Sequence, residues 1–359
     1  MIQINKTRLI KTFCDLVKID SASGFEHKIA KNIEKRLKSF GVKYKIDDFG
    51  NIIAKLPGKG SSVLYLAHLD TVEPGRNIKP IIKNGIIRSK GDTILGADMK
   101  AGVSAILETI AYFKKNKINH QAIEIIFTRE EETGLYGAWA LNKSDIKSKT
   151  AILFDGTGSI GGIAIKEAGG AVLKVKLYGK AVHAGTIPEQ GINAIKTAGE
   201  IISKFKFGKI DKETSFNIGL IKGGDAANTV AGYVEMEGDI RSMNGLKLKK
   251  LIQKTKKIIK QVSEKNKTKF KIEIDEVAPF YYIPKNSKLV KKISKAWQEL
   301  KVKPRYYTDI GASEAGVLNK KGIQAIDLAY GGREDHNTKE NLSVKDLVLM
   351  TKFLIKFVL

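Results

Sequence analysis

The chain has a single cysteine, Cys14, among 359 residues. No internal disulfide can form, which fits a reducing, cytoplasmic compartment. No stretch approaches the ~18 uninterrupted apolar residues of a membrane-spanning helix. The first eleven residues carry Lys6, Arg8 and Lys11 but no continuous apolar core of signal-peptide length, so no targeting segment is expected. Residues 347–359 are apolar but broken by Lys352 and Lys356, whose spacing puts both on one helical face. This reads as a terminal amphipathic helix docked on the core rather than one lying on a membrane. Acidic residues are also in deficit: 38 Asp and Glu stand against 63 Lys and Arg, a formal net charge of +25. Such a balance can mark nucleic-acid binding through phosphates. Here the excess is lysine spread along the whole chain. Its densest stretch, residues 247–269, alternates lysines with Leu248, Leu251, Ile252, Ile258 and Ile259, as one exposed helix face would. No aromatic stacking set or nucleic-acid motif accompanies it. A solvated surface is therefore expected, with no nucleic-acid partner and no membrane.

What is present is an ordinary globular composition, 42% hydrophobic and 28% charged, of a length that suggests two domains. Helical periodicity covers residues 6–17 and 26–40, the second stopping at Gly41. Residues 42–47 and 51–56 alternate like a hairpin around Phe49-Gly50. Short apolar strands are expected at 62–67, 122–128 and 151–154, with a helix at 97–113. Strands alternating with helices indicate an α/β unit with a mostly parallel sheet. Ligands of such sheets sit beyond the carboxyl ends of the strands. The character changes near Gly169. Strands at 171–177, 215–221, 233–240 and 270–277, with helices at 193–205 and 246–262, give the β-α-β-β-α-β order of a self-contained, ferredoxin-like α+β unit. The α/β pattern then resumes with a helix at 287–300, a strand at 325–328 and a final helix near 344–357. The reading is a discontinuous main domain, residues 1–168 and 283–359, with residues 169–282 inserted as a second domain.

Several polar residues fall at predicted strand or turn ends. His68 and Asp70 follow the strand at 62–67. A His two residues from an Asp suits a metal site, because an acidic neighbour orients an imidazole and raises its basicity; alone, it equally describes a structural histidine. Asp98 opens a helix in Gly96-Ala97-Asp98-Met99-Lys100, where an ordinary N-cap aspartate would also stand. Glu130, Glu131 and Glu132 follow the strand at 122–128. Their mutual repulsion is costly unless a cation or solvent relieves it. Either they form a surface turn, or one carboxylate is a ligand and another a free base. Asp155 ends the strand at 151–154, and His336 lies in Gly331-Gly332-Arg333-Glu334-Asp335-His336-Asn337. Together, two histidines and three carboxylates make a dinuclear metal centre the stronger reading. Zn²⁺ takes imidazole nitrogen and carboxylate oxygen, and two ions ~3.5–4 Å apart can share a carboxylate. Cysteine takes no part, so a thiolate zinc site is excluded.

These motifs occur in order along nearly the full chain: His68-Leu69-Asp70-Thr71, Gly96-Ala97-Asp98-Met99-Lys100, Glu131-Glu132-Thr133-Gly134, Asp155-Gly156, Gly179-Lys180-Ala181-Val182-His183-Ala184-Gly185 and the late His336. In this the sequence resembles the peptidase T and carboxypeptidase G group of co-catalytic zinc peptidases and deacylases. The resemblance implies a zinc-exopeptidase domain with an inserted lid and dimerisation domain, two Zn²⁺ per subunit (with Co²⁺ or Mn²⁺ as alternatives) and a homodimer. It implies that His68 and Asp155 bind one ion and Glu132 and His336 the other, that Asp98 bridges them, and that Asp70 orients His68. Glu131 is implied as the general base, with Glu130 as the alternative in the run of three. His183 is implied to stabilise the oxyanion, while Asn228 and Arg241 hold the substrate carboxylate; Arg suits that role through its planar fork. Residues 152–158 and 185–194 look most like the peptidase T branch, which implies an aminopeptidase acting on short peptides. The alternatives are a deacylase, desuccinylase or carboxypeptidase on the same scaffold, or a non-catalytic binding protein that uses the basic surface. Two positions depart from the pattern. Gly311-Ala312-Ser313-Glu314-Ala315, expected as a pocket loop, replaces the usual Gly-Ser-Asp-Ala-Asn, and Thr157 stands where that branch often has Asp.

Overall fold

Four segments of the chain are buried on both faces for most of their length, the mark of strands covered by helices on either side. They are Lys59–His68, Gln121–Thr128, Thr150–Gly156 and Gln324–Ala329. In the computed structural model, which describes residues 2–359, these four lie side by side and parallel at the centre of a nine-stranded sheet. Antiparallel strands complete the sheet. Lys43–Ile46 and Ile52–Leu56 form the expected hairpin on one side, and Gly162–Glu167 and Tyr281–Tyr282 lie on the other. Arg305–Asp309 adds a parallel neighbour to Gly162–Glu167. The chain divides into two compact units, residues 1–167 with 281–359, and residues 168–280. The larger unit contains this sheet.

The helix Ala97–Asn116 is almost wholly buried, from Ala97 to Phe113 apart from Asp98. It packs on Lys59–His68 and Thr150–Gly156 and is itself covered by Lys6–Val17 and Val344–Phe357. The last of these is the docked terminal helix; it buries Leu347, Phe353 and Leu354, with Phe353 stacked on Trp297. Among the described residues, no helix is long and apolar enough to cross a membrane.

Register places the chemistry. His68 pairs with Thr128, and Leu66 with Leu153, so adjacent parallel strands end level with one another. His68, the Glu130–Glu132 turn and Asp155 therefore emerge together at the carboxyl ends of the strands, where an open α/β sheet presents ligands. A small sheet of Pro80–Lys83, Ile86–Ser89 and Asn341–Ser343 ties the segment before Asp98 to the segment after His336.

The smaller unit is a five-stranded antiparallel sheet, ordered 208–209, 214–223, 233–242, 169–178 and 269–278 along the chain numbering. The helices Ala194–Ser203 and Gly245–Lys265 pack on it. Alternation in Gly169–Tyr178 turns Leu173, Val175 and Leu177 into its core, with Phe216, Met236 and Ile259. The connectivity and strand order are those of a ferredoxin-like unit.

Candidate metal centre

The ligand set is built from loops that the backbone fixes in unusual ways. Gly96 is left-handed, with φ +69°, where a side chain would be strained and its Cβ would press on Thr71. The Asp98 side chain does not serve as a helix cap: the backbone leaves helical geometry at Asp98 (ψ 112°) and Met99, and the Asp98 carboxylate turns to two histidines. His336 also has a positive φ, +58°, a conformation that costs a non-glycine residue energy and recurs at functional sites.

Asp98 sits in the middle. Its Oδ1 lies 3.2 Å from His68 Nε2, and its Oδ2 lies 3.2 Å from His336 Nε2. Asp155 Oδ1 is 3.5 Å from the same His68 nitrogen, and Glu132 Oε1 is 3.1 Å from the same His336 nitrogen. Two ligand triads result, His68–Asp98–Asp155 and Asp98–Glu132–His336, each with donor atoms within 4.8 Å of one another. They share one carboxylate, with an oxygen toward each histidine. Imidazole nitrogen and carboxylate oxygen without sulfur is a donor set that zinc accepts. So many buried carboxylates in one place repel each other unless cations sit among them. The residues fit a pair of metal ions.

Asp70, fully buried, does more than face His68. Its Oδ1 lies 3.3 Å from His68 Nδ1. Oδ1 also accepts the Glu131 N–H at 3.1 Å, and Oδ2 accepts the Glu132 N–H at 3.1 Å and the Ser23 hydroxyl at 2.6 Å. One carboxylate thus positions a histidine and the glutamate turn together. The turn is gripped on its other side by buried Glu26, whose carboxylate accepts the Glu130 N–H at 3.0 Å and pairs with Arg129 at 2.8 Å. Asp327 accepts the Asp155 N–H at 2.7 Å. Glu26, Arg129 and Asp327 carried no signal in the sequence except that Arg129 adjoins the glutamates, because they act on segments far away in the chain.

The ion-free electrostatics follow from this crowding. Burial alone would lower the His68 imidazole, but Asp155, Asp70 and Asp98 outweigh it and hold it well above its usual range. Hydrogen bonds to Asp98 and Glu132 push His336 up to about 11. Burial opposes ionisation of Asp98, yet His336 and His68 hold it below the ordinary carboxylate range. Burial and then the Asp98 charge raise Asp155 to about 7. Burial, followed by the nearby Asp155, pushes the Glu131 carboxyl well up.

A cavity of about 340 Å³ opens beside the triads. Glu131 and Glu132 line it, and Glu130 does not; Glu130 lies instead 3.9 Å from the Arg129 guanidinium. Glu167, Asp309 and Asp327 also line the cavity, and among the described residues no lysine or arginine does. Ser313 N–H and hydroxyl donate to Glu167, as does the Tyr281 hydroxyl. The segment read as a pocket loop supplies Gly311, Ala312 and Ser313 to the lining, then turns at once into the helix Glu314–Lys320, capped by Ser313.

The structure thus gathers His68, Asp70, Asp98, Glu131, Glu132, Asp155 and His336 in the larger unit. His183, Asn228 and Arg241 belong to the smaller unit, where all three are exposed. His183 and Asn228 are backbone neighbours, the Ala184 N–H donating to the Asn228 carbonyl at 2.8 Å. The Gly185 N–H donates to His183 Nδ1 at 3.2 Å, which leaves the ring proton of the neutral imidazole on Nε2. Arg241 lies on the strand Tyr233–Ser242 and pairs with Asp239 at 3.1 Å.

Two family models match the chain, a peptidase dimerisation domain over residues 165–267 and peptidase family M28 over residues 51–191. An uncharacterised protein of Bacillus subtilis, YqjE, is 33% identical over 99% of this chain and 98% of its own length. The crystal structure of the aminopeptidase PepT from Bacillus cereus superposes with a TM-score of 0.89 at 33% identity, covering 99% of this chain and 98% of that one. The chain belongs to the peptidase T family. A tripeptidase from Staphylococcus aureus superposes equally, at a TM-score of 0.89 and 30% identity, over 99% of this chain and 98% of its own. A peptidase T family member is a peptide hydrolase.

Proposed function

We propose that this chain is a two-zinc aminopeptidase of short peptides. The observation that carries the reading is the cavity beside the triads: the Glu131 base candidate lines it together with Asp309 and further acidic residues, and among the described residues no lysine or arginine does. A peptide with a free amino terminus brings an ammonium group, a donor suited to Asp309, while Glu167 and Asp327, raised by burial and already hydrogen-bonded to Ser313, Tyr281 and the Asp155 N–H, help line the cavity. An N-acyl amino acid brings no such charge. His68 and Asp155 would hold one ion, Glu132 and His336 the other, and Asp98 both; Co²⁺ or Mn²⁺ could stand in for zinc. When bound, the ions supply Lewis-acid polarisation of the scissile carbonyl and acidify a water.

The chain's own groups do the rest. Glu131 takes the proton of the attacking water and returns it to the leaving amine. Asp70 keeps Glu131 and His68 in register through its four contacts. In the smaller unit, His183 offers an Nε2–H suited to a tetrahedral oxyanion, and Asn228 and Arg241 are proposed to hold the substrate carboxylate. The smaller unit matches a dimerisation-domain model, which supports a homodimer formed through it, with the larger unit as the catalytic domain. A single cysteine supports a cytoplasmic location. The test is Glu131→Gln. The variant is expected to lose turnover by at least ~10²-fold, the scale of a positioned general base, while still taking up two ions. Undiminished turnover would remove Glu131 from this role.

A further inference from the structure

Resting on the reading of Asp98 as the carboxylate shared by both ions, we propose that Glu340 is the positioning residue that fixes Asp98 and so sets the geometry of the pair. Glu340 is 1% exposed. Its Oε2 accepts the N–H groups of Leu95 at 2.7 Å and Gly96 at 2.8 Å, and its Oε1 accepts those of Ala97 at 2.7 Å and Asp98 at 3.3 Å. Four consecutive backbone donors converge on one carboxylate. An ionised carboxylate has about four lone-pair positions, so Glu340 has no capacity left for an ion or a substrate, and it does not line the cavity.

The need for such a group follows from the local fold. The first N–H groups of a helix have no partner within it. Here the backbone leading into the long helix breaks from helical geometry at Asp98 and Met99, and Gly96 before it offers no side chain. Without Glu340, the buried donors of residues 95–98 would be orphaned just where Asp98 must hold two oxygens in place. Lys100, fully buried two residues past Asp98, supplies a positive charge nearby; its ammonium donates to the Ile19 carbonyl at 3.1 Å.

Glu340 also belongs to the loop that presents His336. That loop is closed at its base by paired Arg333 and Asn341, each donating to the other at 3.0 Å, and the Glu340 N–H donates to the Asn337 carbonyl at 2.9 Å. The next residues, Asn341–Ser343, pair with Ile86–Ser89 in the small sheet. Glu340 is therefore the tie between the Asp98 loop and the His336 loop, the two parts of one ligand triad that lie more than two hundred residues apart.

The test is zinc titration of metal-free wild type and of Glu340→Gln and Glu340→Asp, read by calorimetry, beside steady-state kinetics on a short peptide. In Glu340→Gln the amide NH₂ meets two N–H donors, and Asp98 loses its fixed position. Ion affinity is expected to fall about 10–100-fold, the usual effect of removing a partner that orients a ligand. kcat falls with it and KM stays unchanged, because the cavity wall is intact. Glu340→Asp, which keeps the charge on a shorter arm, falls between. A folded Glu340→Gln that binds two ions with wild-type affinity overturns the proposal. If wild type itself takes up no ion, it is the metal-centre reading that fails. Should both variants fail to fold, hydrogen exchange of ion-free wild type decides. Slow exchange over residues 95–98 supports the clamp, and exchange at the rate of an exposed loop overturns it.

Discussion

Loading the ion-free protein with zinc must displace protons, and the structure says how many. In the ion-free centre both ring nitrogens of His68 face oxygens, and the imidazole is held well above its usual range. His336, between Asp98 and Glu132, is raised from 6.5 to about 11. At pH 7.5 both are imidazolium, yet a metal takes only the neutral ring, so loading releases about two protons per chain. Asp155, at about 7, adds roughly a quarter of a proton at that pH, and Glu131, raised well above the carboxylate range, adds to the release as cations arrive. Histidines at their ordinary value would release only about 0.2 protons in total at pH 7.5. Titration calorimetry in several buffers of different ionisation enthalpy gives the number as the slope of observed enthalpy against buffer enthalpy. A slope of about two or more is expected, with combined affinity for the pair of ions rising about a hundredfold per pH unit near neutrality. A slope near 0.2 would refute the claim that Asp98, Glu132 and Asp155 crowd these two rings.

The same shifts bear on stability. Asp155, Glu314, Glu167 and Glu340 are raised to about 7, 8, 8 and 7, each first by burial. His336 is raised through its carboxylate partners. In every case the folded state binds more protons than the unfolded one, so stability falls as pH rises. Thermal melts of chelator-treated protein should show Tm falling from about pH 5 to 8, and a Tm that rises across that window would contradict the sign. The zinc-loaded form should show a weaker dependence, since cations satisfy the same carboxylates. Asp309→Asn, which removes one charge from the cavity wall, is expected to raise KM for free-amino dipeptides with little change in kcat, and initial-rate kinetics check this. Asp70→Asn places an amide against the Glu131 and Glu132 N–H groups and is expected to lower zinc affinity and kcat by about 10–100-fold, read by metal titration and initial rates.

The α/β frame was legible because its central strands are short, largely apolar runs, such as residues 122–128, several of which lead straight into polar residues such as His68 and Asp155. Parallel pairing then brings the ends together without further information. The inserted unit was legible from the order of its elements. The small sheet was not, because residues 80–89 and 341–343 are short and largely exposed and carry no period. Arg305–Asp309 escaped notice for a related reason: RYYTD is a polar edge strand beside Gly162–Glu167. Within the site, His68, Asp98 and Asp155 were conspicuous as polar residues at element boundaries. Glu26, Asp327 and Glu340 were not, since each works by accepting backbone N–H groups from segments more than a hundred residues away, a relation that leaves no trace in local spacing. The choice between Asp98 as helix cap and as ligand was likewise open in the sequence. It depends on the backbone leaving helical geometry at Asp98, so that its carboxylate turns to the histidines, and on Glu340 satisfying the N–H groups there.

The central claim, a metal-dependent aminopeptidase of short peptides, is tested most directly by amine release from zinc-loaded protein. The substrates are unblocked di- and tripeptides beside N-acetyl and N-succinyl amino acids, each with and without chelator. Cleavage of the free-amino peptides that chelator abolishes, with the blocked compounds inert, is the predicted result. Preferential hydrolysis of the acylated amino acids would contradict the assignment of the acidic cavity lining to a substrate ammonium while leaving the metal centre in place.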